Sequence, residues 1–431
     1  MKTFTNCAEK KAKQILNLLQ GYTKGIRMTA ILVLLLMGVS NAWADPYISD
    51  FGLQFRDDGG AWFKTGTKGG DGIMELDLGS KTNLKIVYIY ANGNKNGGNL
   101  CGSNKFQYEI YGTTGTENWS GNDCSCTWSG DVPTYKWGTE NSTTAYIDLV
   151  ANRKPGDYRM EFLFKFNGHN TTTGCDKDFY CKYNNGNWKF TWSIPDPTIT
   201  ITGANALVVG TSTNIKASMS NYPIGATISK IQVSGNTTSK SATGSTDNLT
   251  VSSVTPNASG KNGIKVTVTV KFGTGGTKDY VYNYNVTPPA VNNFEVTPNN
   301  VVSGTGTSAN PYIITCGKDM PLKVSGGQAT TDANSTLHTS FGDNSHYSAT
   351  LTKAYTPTTE KKNVAVYARY HNSTASLSGV ATTKTIYYQA QTFSVNITSA
   401  GNGTVTPSGT QQVGATTVSI TATPNLGSAF K

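Results

Sequence analysis

Between residues 264 and 286 the chain alternates with a strict period of two. Ile264, Val266, Val268, Val270 and Phe272 fall on one side and Lys265, Thr267, Thr269 and Lys271 on the other; after Gly273-Thr274-Gly275-Gly276, Tyr280, Tyr282, Tyr284 and Val286 resume the pattern. Successive side chains of a strand point to opposite faces, so this stretch predicts two half-buried strands joined by a glycine turn. Short runs of the same kind, separated by Gly, Asn, Pro and Thr clusters, recur from Asp45 onward, and no helical period is sustained beyond two turns. The class that follows is all-β, as tandem immunoglobulin-like β-sandwiches.

Prolines divide the series. Pro195, Pro197 and Pro288-Pro289 stand where one set of strands ends and another opens, and a ring there both stops a hydrogen-bond ladder and stiffens a linker. The expected domains are 45–195, 196–289 and 290–391, with a short tail at 392–431. In the second, strands are expected near 198–203, 212–219, 228–234, 248–254 and over the hairpin above. In the third they are expected near 294–302, 312–316, 321–325, 347–353, 363–371 and 384–390. Neither has the paired cysteines of antibody domains; Cys316, in YIITC, reads as a small buried hydrophobe.

Ahead of Asp45, residues 2–27 hold six of the 36 Lys+Arg and one of the 26 Asp+Glu, and the apolar run MTAILVLLLMGV follows. That run is too short to span a bilayer, and Ala42-Trp43-Ala44 has the small-x-small pattern of a signal peptidase site. Residues 1–44 are therefore expected to be a signal peptide, with the mature chain starting at Asp45, secreted or at the cell surface and without a transmembrane segment. Its removal lowers the net charge from +10 to +5. A mild charge without a Lys/Arg cluster is no nucleic-acid footprint, and no nucleic-acid partner is expected.

The first domain differs in chemistry. It holds Trp62, Trp119, Trp128, Trp137, Trp188 and Trp192, and the cysteines Cys101, Cys124, Cys126, Cys175 and Cys181. Its strands are most visible at 73–79, 84–91, 105–112, 145–151, 158–166 and 187–194. An exported chain favours disulfides; Cys175 with Cys181, and Cys101 with either Cys124 or Cys126, are the candidate pairs. Zinc is the competing reading, although paired C-x₂-C knuckles are absent. Trp119, Trp128, Tyr135 and Trp137 crowd a loop-rich stretch, where they serve either as core or as a flat face for a sugar ring or a protein. Trp188 and Trp192 share one side of a strand and read as core.

No catalytic constellation emerges. His169, His338, His346 and His371 stand in no H-E-x-x-H or G-x-S-x-G pattern. Asp57-Asp58-Gly59-Gly60 and Asp176-Lys177-Asp178 offer oxygen ligands without the spacing of a calcium loop, and turn formation is the plainer reading. Glu75 and Asp77 share a strand face, which alone does not make the facing pair a glycosidase needs. No cofactor or metal is expected.

Three stretches resemble known families. Gly401-Asn402-Gly403-Thr404-Val405, Pro407-Ser408-Gly409 and TTVSITATPNLGSAF resemble the divergent internalin B-type repeat of bacterial surface proteins. That resemblance implies a small β-grasp-like unit, here incomplete because its last strands would lie beyond Lys431. GIMELDLGSKTNLKIVYIYANGNKNGGNLCGSNKFQYEIYG, with PGDYRMEFLFKF and NNGNWKFTWSI, is similar to an uncharacterised β-sandwich of exported Bacteroidota proteins. Residues 196–390 resemble bacterial immunoglobulin-like repeats. Together these imply a secreted or surface-displayed multidomain protein of adhesin type; with no catalytic constellation and the Trp119, Trp128, Tyr135 and Trp137 group, the expected reading is a noncatalytic protein whose partner is a glycan or a host or cell-surface protein. The alternative is the accessory N-terminal portion of a secreted hydrolase with its catalytic module beyond residue 431.

Overall fold

The computed structural model describes residues 47–67, 75–94, 99–112, 115–120, 134–144, 146–169, 177–181, 188–327, 332–414 and 419–427. Among them every regular element is a β-strand, and the protein is all-β. Chain contacts divide it into two compact units, Met1–Asp196 and Pro197–Lys431.

The first unit contains β1 (Tyr47–Asp57), β2 (Gly60–Thr67), β3 (Glu75–Ser80), β4 (Lys85–Asn94), β5 (Asn99–Gly112), β6 (Gly115–Ser120), β7 (Thr134–Gly138), β8 (Ile147–Asp148), β9 (Gly156–His169), β10 (Lys177–Cys181) and β11 (Trp188–Ile194). One sheet runs β2-β1-β4-β7 with β8 on β4, and the other runs β3-β11-β9-β5-β6 with β10 on β9. Between them lie Phe51, Phe55, Ile86, Ile89, Phe106, Phe162, Trp188 and Phe190, all at most 2 % exposed. The alternation in the sequence explains this face. In β9, Tyr158, Met160, Phe162 and Phe164 point inward and Arg159 and Glu161 outward; in β11, Trp188, Phe190, Trp192 and Ile194 do the same around Lys189, Thr191 and Ser193. Trp188 and Trp192 are core, as expected, and Trp192 Nε1 donates to the Leu149 carbonyl at 3.0 Å, which satisfies its one donor.

The expected strand at 145–151 is corrected. Only Ile147–Asp148 pairs; the Asp148 carboxylate then accepts from the Val150 and Ala151 amides at 2.9 and 2.7 Å, folding Leu149 and Val150 inward on a turn.

The second unit opens with a three-stranded sheet (Thr198–Thr202, Thr213–Ser220, Asn248–Val254) and a five-stranded one (Leu207–Val208, Thr277–Thr287, Gly260–Phe272, Ala226–Gly235, Lys240–Thr246). The hairpin has the expected register, Val268 opposite Tyr280, and buries Ile264, Val266, Val268 and Val270 completely. A second pair of sheets follows, with Phe294–Pro298, Met320–Gly326 and Thr352–Tyr355 on one side. The other holds Val301–Ser303, Tyr312–Ile314, Thr382–Ala390, Lys362–Asn372 and Thr336–Phe341. Each sheet pair encloses its own apolar cluster. Near residues 347–353 the strand is instead Thr352–Tyr355, because residues 348 and 350 bond sideways to Thr339. Cys316 is half-buried and lies past the strand, in a turn where the Lys318 amide bonds the Thr315 carbonyl; Ile314 has already taken the inward position. The tail pairs Phe393–Ile397 with Gly409–Val413 and Gly403–Thr406 with Thr421–Pro424.

Candidate functional site

The site is built on the outward face of the β3-β11-β9-β5 sheet. Residues paired across neighbouring strands point to the same side, so the registers write out rows of side chains. One row is Asp77, Thr191, Arg159 and Tyr111, one residue from each of four strands. Beside it run Glu75, Lys189, Glu161 and Glu109, and, on the other side, Ser80, Ser193 and Asp157. An open groove of about 680 Å³ is lined by Asp77, Tyr111, Asp157, Arg159, Thr191 and Ser193.

The rows are cross-linked. Lys189 Nζ lies 2.9 Å from Glu75 and Arg159 Nε 3.1 Å from Glu161. The Arg159 guanidinium stands 4.8 Å from the centre of the Tyr111 ring, a cation–π contact. The Tyr111 hydroxyl donates to Glu109, and this bond, followed by burial, pushes its pKa up to about 12, so the phenol stays neutral. Thr191 Oγ1 donates to Asp77 Oδ1 at 3.4 Å, and the same oxygen accepts from the Gly79 amide at 2.9 Å. Such a surface offers fixed hydrogen-bond donors and acceptors in alternation.

The aromatic group expected in the sequence is distributed over both sheets. Trp119 lies on β6 opposite Ile110, and Tyr135 and Trp137 lie on β7 opposite Ala91 and Ile89. Their side chains, and Trp128 altogether, lie outside the described residues, as do Cys124, Cys126 and Cys175 and the side chains of Cys101 and Cys181. The signal segment with Ala42, Ala44 and Asp45 lies outside them too.

Other motifs resolve locally. Asp57-Asp58-Gly59-Gly60 is the β1–β2 turn, with the Gly59 amide donating to Asp57 at 2.9 Å and Lys81 Nζ 2.5 Å from the same carboxylate. Burial would raise the Asp57 pKa, yet the Lys81 and Gly59 hydrogen bonds hold it below its ordinary value. Glu75 and Asp77 share the exposed face of β3, as the period of two requires. The rings of His338 and His371 sit 4.8 Å apart across two strands, and burial, with His371 and Arg369 nearby, lowers the His338 pKa. Arg159, Tyr111 and Thr191 were not singled out in the sequence. Their outward parity was legible in YRMEFLFKF, KFQYEIYG and NWKFTWSI, whereas their alignment in one row depends on strand order.

Residues 393–431 match the family model of the Divergent InlB B-repeat domain. No curated protein matches the chain. Among solved structures, a membrane-anchored protein from Corynebacterium diphtheriae aligns over 80 % of this chain and 97 % of its own at 11 % identity, with a TM-score of 0.25. A marsupial T cell receptor aligns over 70 % and 96 % at 10 % identity, with a TM-score of 0.17.

Proposed function

We propose that this chain is a noncatalytic surface protein of adhesin type, exported by cleavage before Asp45, whose first sandwich binds a glycan or a surface protein. Residues 196–289 and 290–391 act as immunoglobulin-like spacers, and 392–431 as an internalin B-type repeat. The observation that carries the reading is the cross-linked polar face of the first unit, an open groove laid over four strands. An enzyme of this size would be expected to present instead a deep pocket with convergent groups of separated pKa. The repeat match at 393–431 supports a surface setting.

The test is adhesion of the purified chain to immobilised glycans, matrix proteins and intact cells, with a parallel screen for hydrolysis of the same glycans and proteins. Adhesion without turnover is the expected result. Turnover, or no adhesion on any surface, overturns the proposal. Sequencing the exported product checks the Asp45 start.

A further inference from the structure

We infer that the groove over β3, β11, β9 and β5 is a subsite for a neutral, linear oligosaccharide. The inference rests on the binding role just proposed and names its ligand.

Three inter-strand spacings of about 4.8 Å each set Asp77 and Tyr111 roughly 14 Å apart, the reach of a short linear chain rather than of one compact molecule. The lining is amphoteric. Carboxylates of Asp77 and Asp157 accept from hydroxyls, the Arg159 guanidinium donates to them, and Thr191 and Ser193 do either. Every sugar hydroxyl is at once donor and acceptor, so a ligand made of them satisfies both kinds of group in one row.

Charge selects within the class. The three rows hold five carboxylates, Glu75, Asp77, Glu109, Glu161 and Asp157, against two cations, Lys189 and Arg159. Both cations are engaged by neighbours on the face, Lys189 with Glu75 and Arg159 with Glu161. An anionic sugar would meet a net negative surface, whereas a neutral one meets only hydrogen-bonding groups. A protein is the competing occupant, since Tyr111 and Arg159 in the groove are side chains common at protein hot spots, and preference for the polylysine probe below would reveal it. The ion pairs and the Arg159–Tyr111 stack hold the side chains in place before binding, which reduces the ordering cost on association.

The test uses the full chain against neutral tetrasaccharides of gluco-, manno-, xylo- and galacto-type, with oligogalacturonates, heparin fragments and a polylysine peptide beside them, the best probe being titrated calorimetrically. Binding of a neutral tetrasaccharide at least tenfold tighter than any anionic probe is expected. Arg159→Ala and Asp77→Ala should each weaken it tenfold or more at an unchanged melting temperature. Thr191→Val, nearly isosteric, should weaken it severalfold, and it carries the test should either alanine variant unfold early.

A blank neutral panel, preference for the anionic or polylysine probe, or binding indifferent to these variants overturns the inference. If the Arg159→Ala and Asp77→Ala chains still adhere to cells or matrix proteins like the parent, this subsite is wrong and the adhesive reading stands. If the parent adheres to nothing, the adhesive reading has itself failed.

Discussion

Trp188 is fully buried, 4.9 Å from Phe51 ring to ring, and closes the centre of the first core. Replacing a buried aromatic by Ala removes its transfer free energy and leaves a cavity, so Trp188→Ala should cost about 3–5 kcal/mol in denaturant unfolding of the first unit. Asp332 makes a prediction of a different kind. It is 6 % exposed; burial would raise its pKa, but hydrogen bonds to its carboxylate, among them those from the Ser259 and Asn334 amides at 3.1 and 3.2 Å, outweigh burial and lower it. A carboxylate whose folded pKa lies below its unfolded value stabilises fully above the unfolded value and loses that contribution as pH falls through the folded one. Acid titration of the native chain should therefore show a loss of stability beginning near the ordinary carboxylate pKa and continuing downward, and Asp332→Asn should flatten that limb while lowering stability at neutral pH.

At the scale of elements, legibility followed the burial pattern of a strand rather than its length. β9, β11 and the first strand of the hairpin, over 264–272, bury one face, so hydrophobic alternation alone marks them. β1 and β2 escaped although Asp57-Asp58-Gly59-Gly60 was read as turn-forming. Phe51, Leu53 and Phe55 keep the alternation in β1, but its other face, Gly52 and Gln54, is buried as well, with Gln54 bonding Asn141 at 3.1 Å. Lys240–Thr246 and Thr336–Phe341 are polar edge strands whose place is set by the neighbour they pair with, Ala226–Gly235 and Lys362–Asn372. Turn geometry imposes its own requirement at Gly235, where φ is +101° and an added Cβ would meet the Gly263 carbonyl at 2.3 Å. Gly235→Ala should thus destabilise the second sandwich by more than about 1 kcal/mol, read as a lowered melting temperature.

At the scale of the molecule, three apolar clusters among the described residues are each assembled from one segment of chain, roughly 51–194, 201–286 and 291–388. Within the second unit, the last two are tied by a buried polar knot. Asn372 Nδ2 donates to the Ser259 carbonyl at 3.2 Å and to its hydroxyl at 2.9 Å, Asn334 Nδ2 donates to the same carbonyl at 3.0 Å, and the Ser259 amide donates to Asp332 at 3.1 Å. An unsatisfied buried polar group costs about 1–3 kcal/mol, so Asn372→Ala should uncouple the two sandwiches. Calorimetry should show one transition for the second unit in the parent and two in the variant. Coincident transitions in both would refute the coupling.

The sequence by itself determined the β class, the inward faces of β9, β11 and residues 264–272 and the likeness of the tail to a known repeat, because these depend on side-chain period and turn chemistry within a few residues. Tertiary structure alone decided which strands became neighbours. It aligned Asp77, Thr191, Arg159 and Tyr111, drawn from positions up to 114 residues apart, into one row, and it seated Ser259 against Asn372 across 113. Strand order is fixed by the fit of whole faces against each other, a non-local energy that no short stretch of sequence contains.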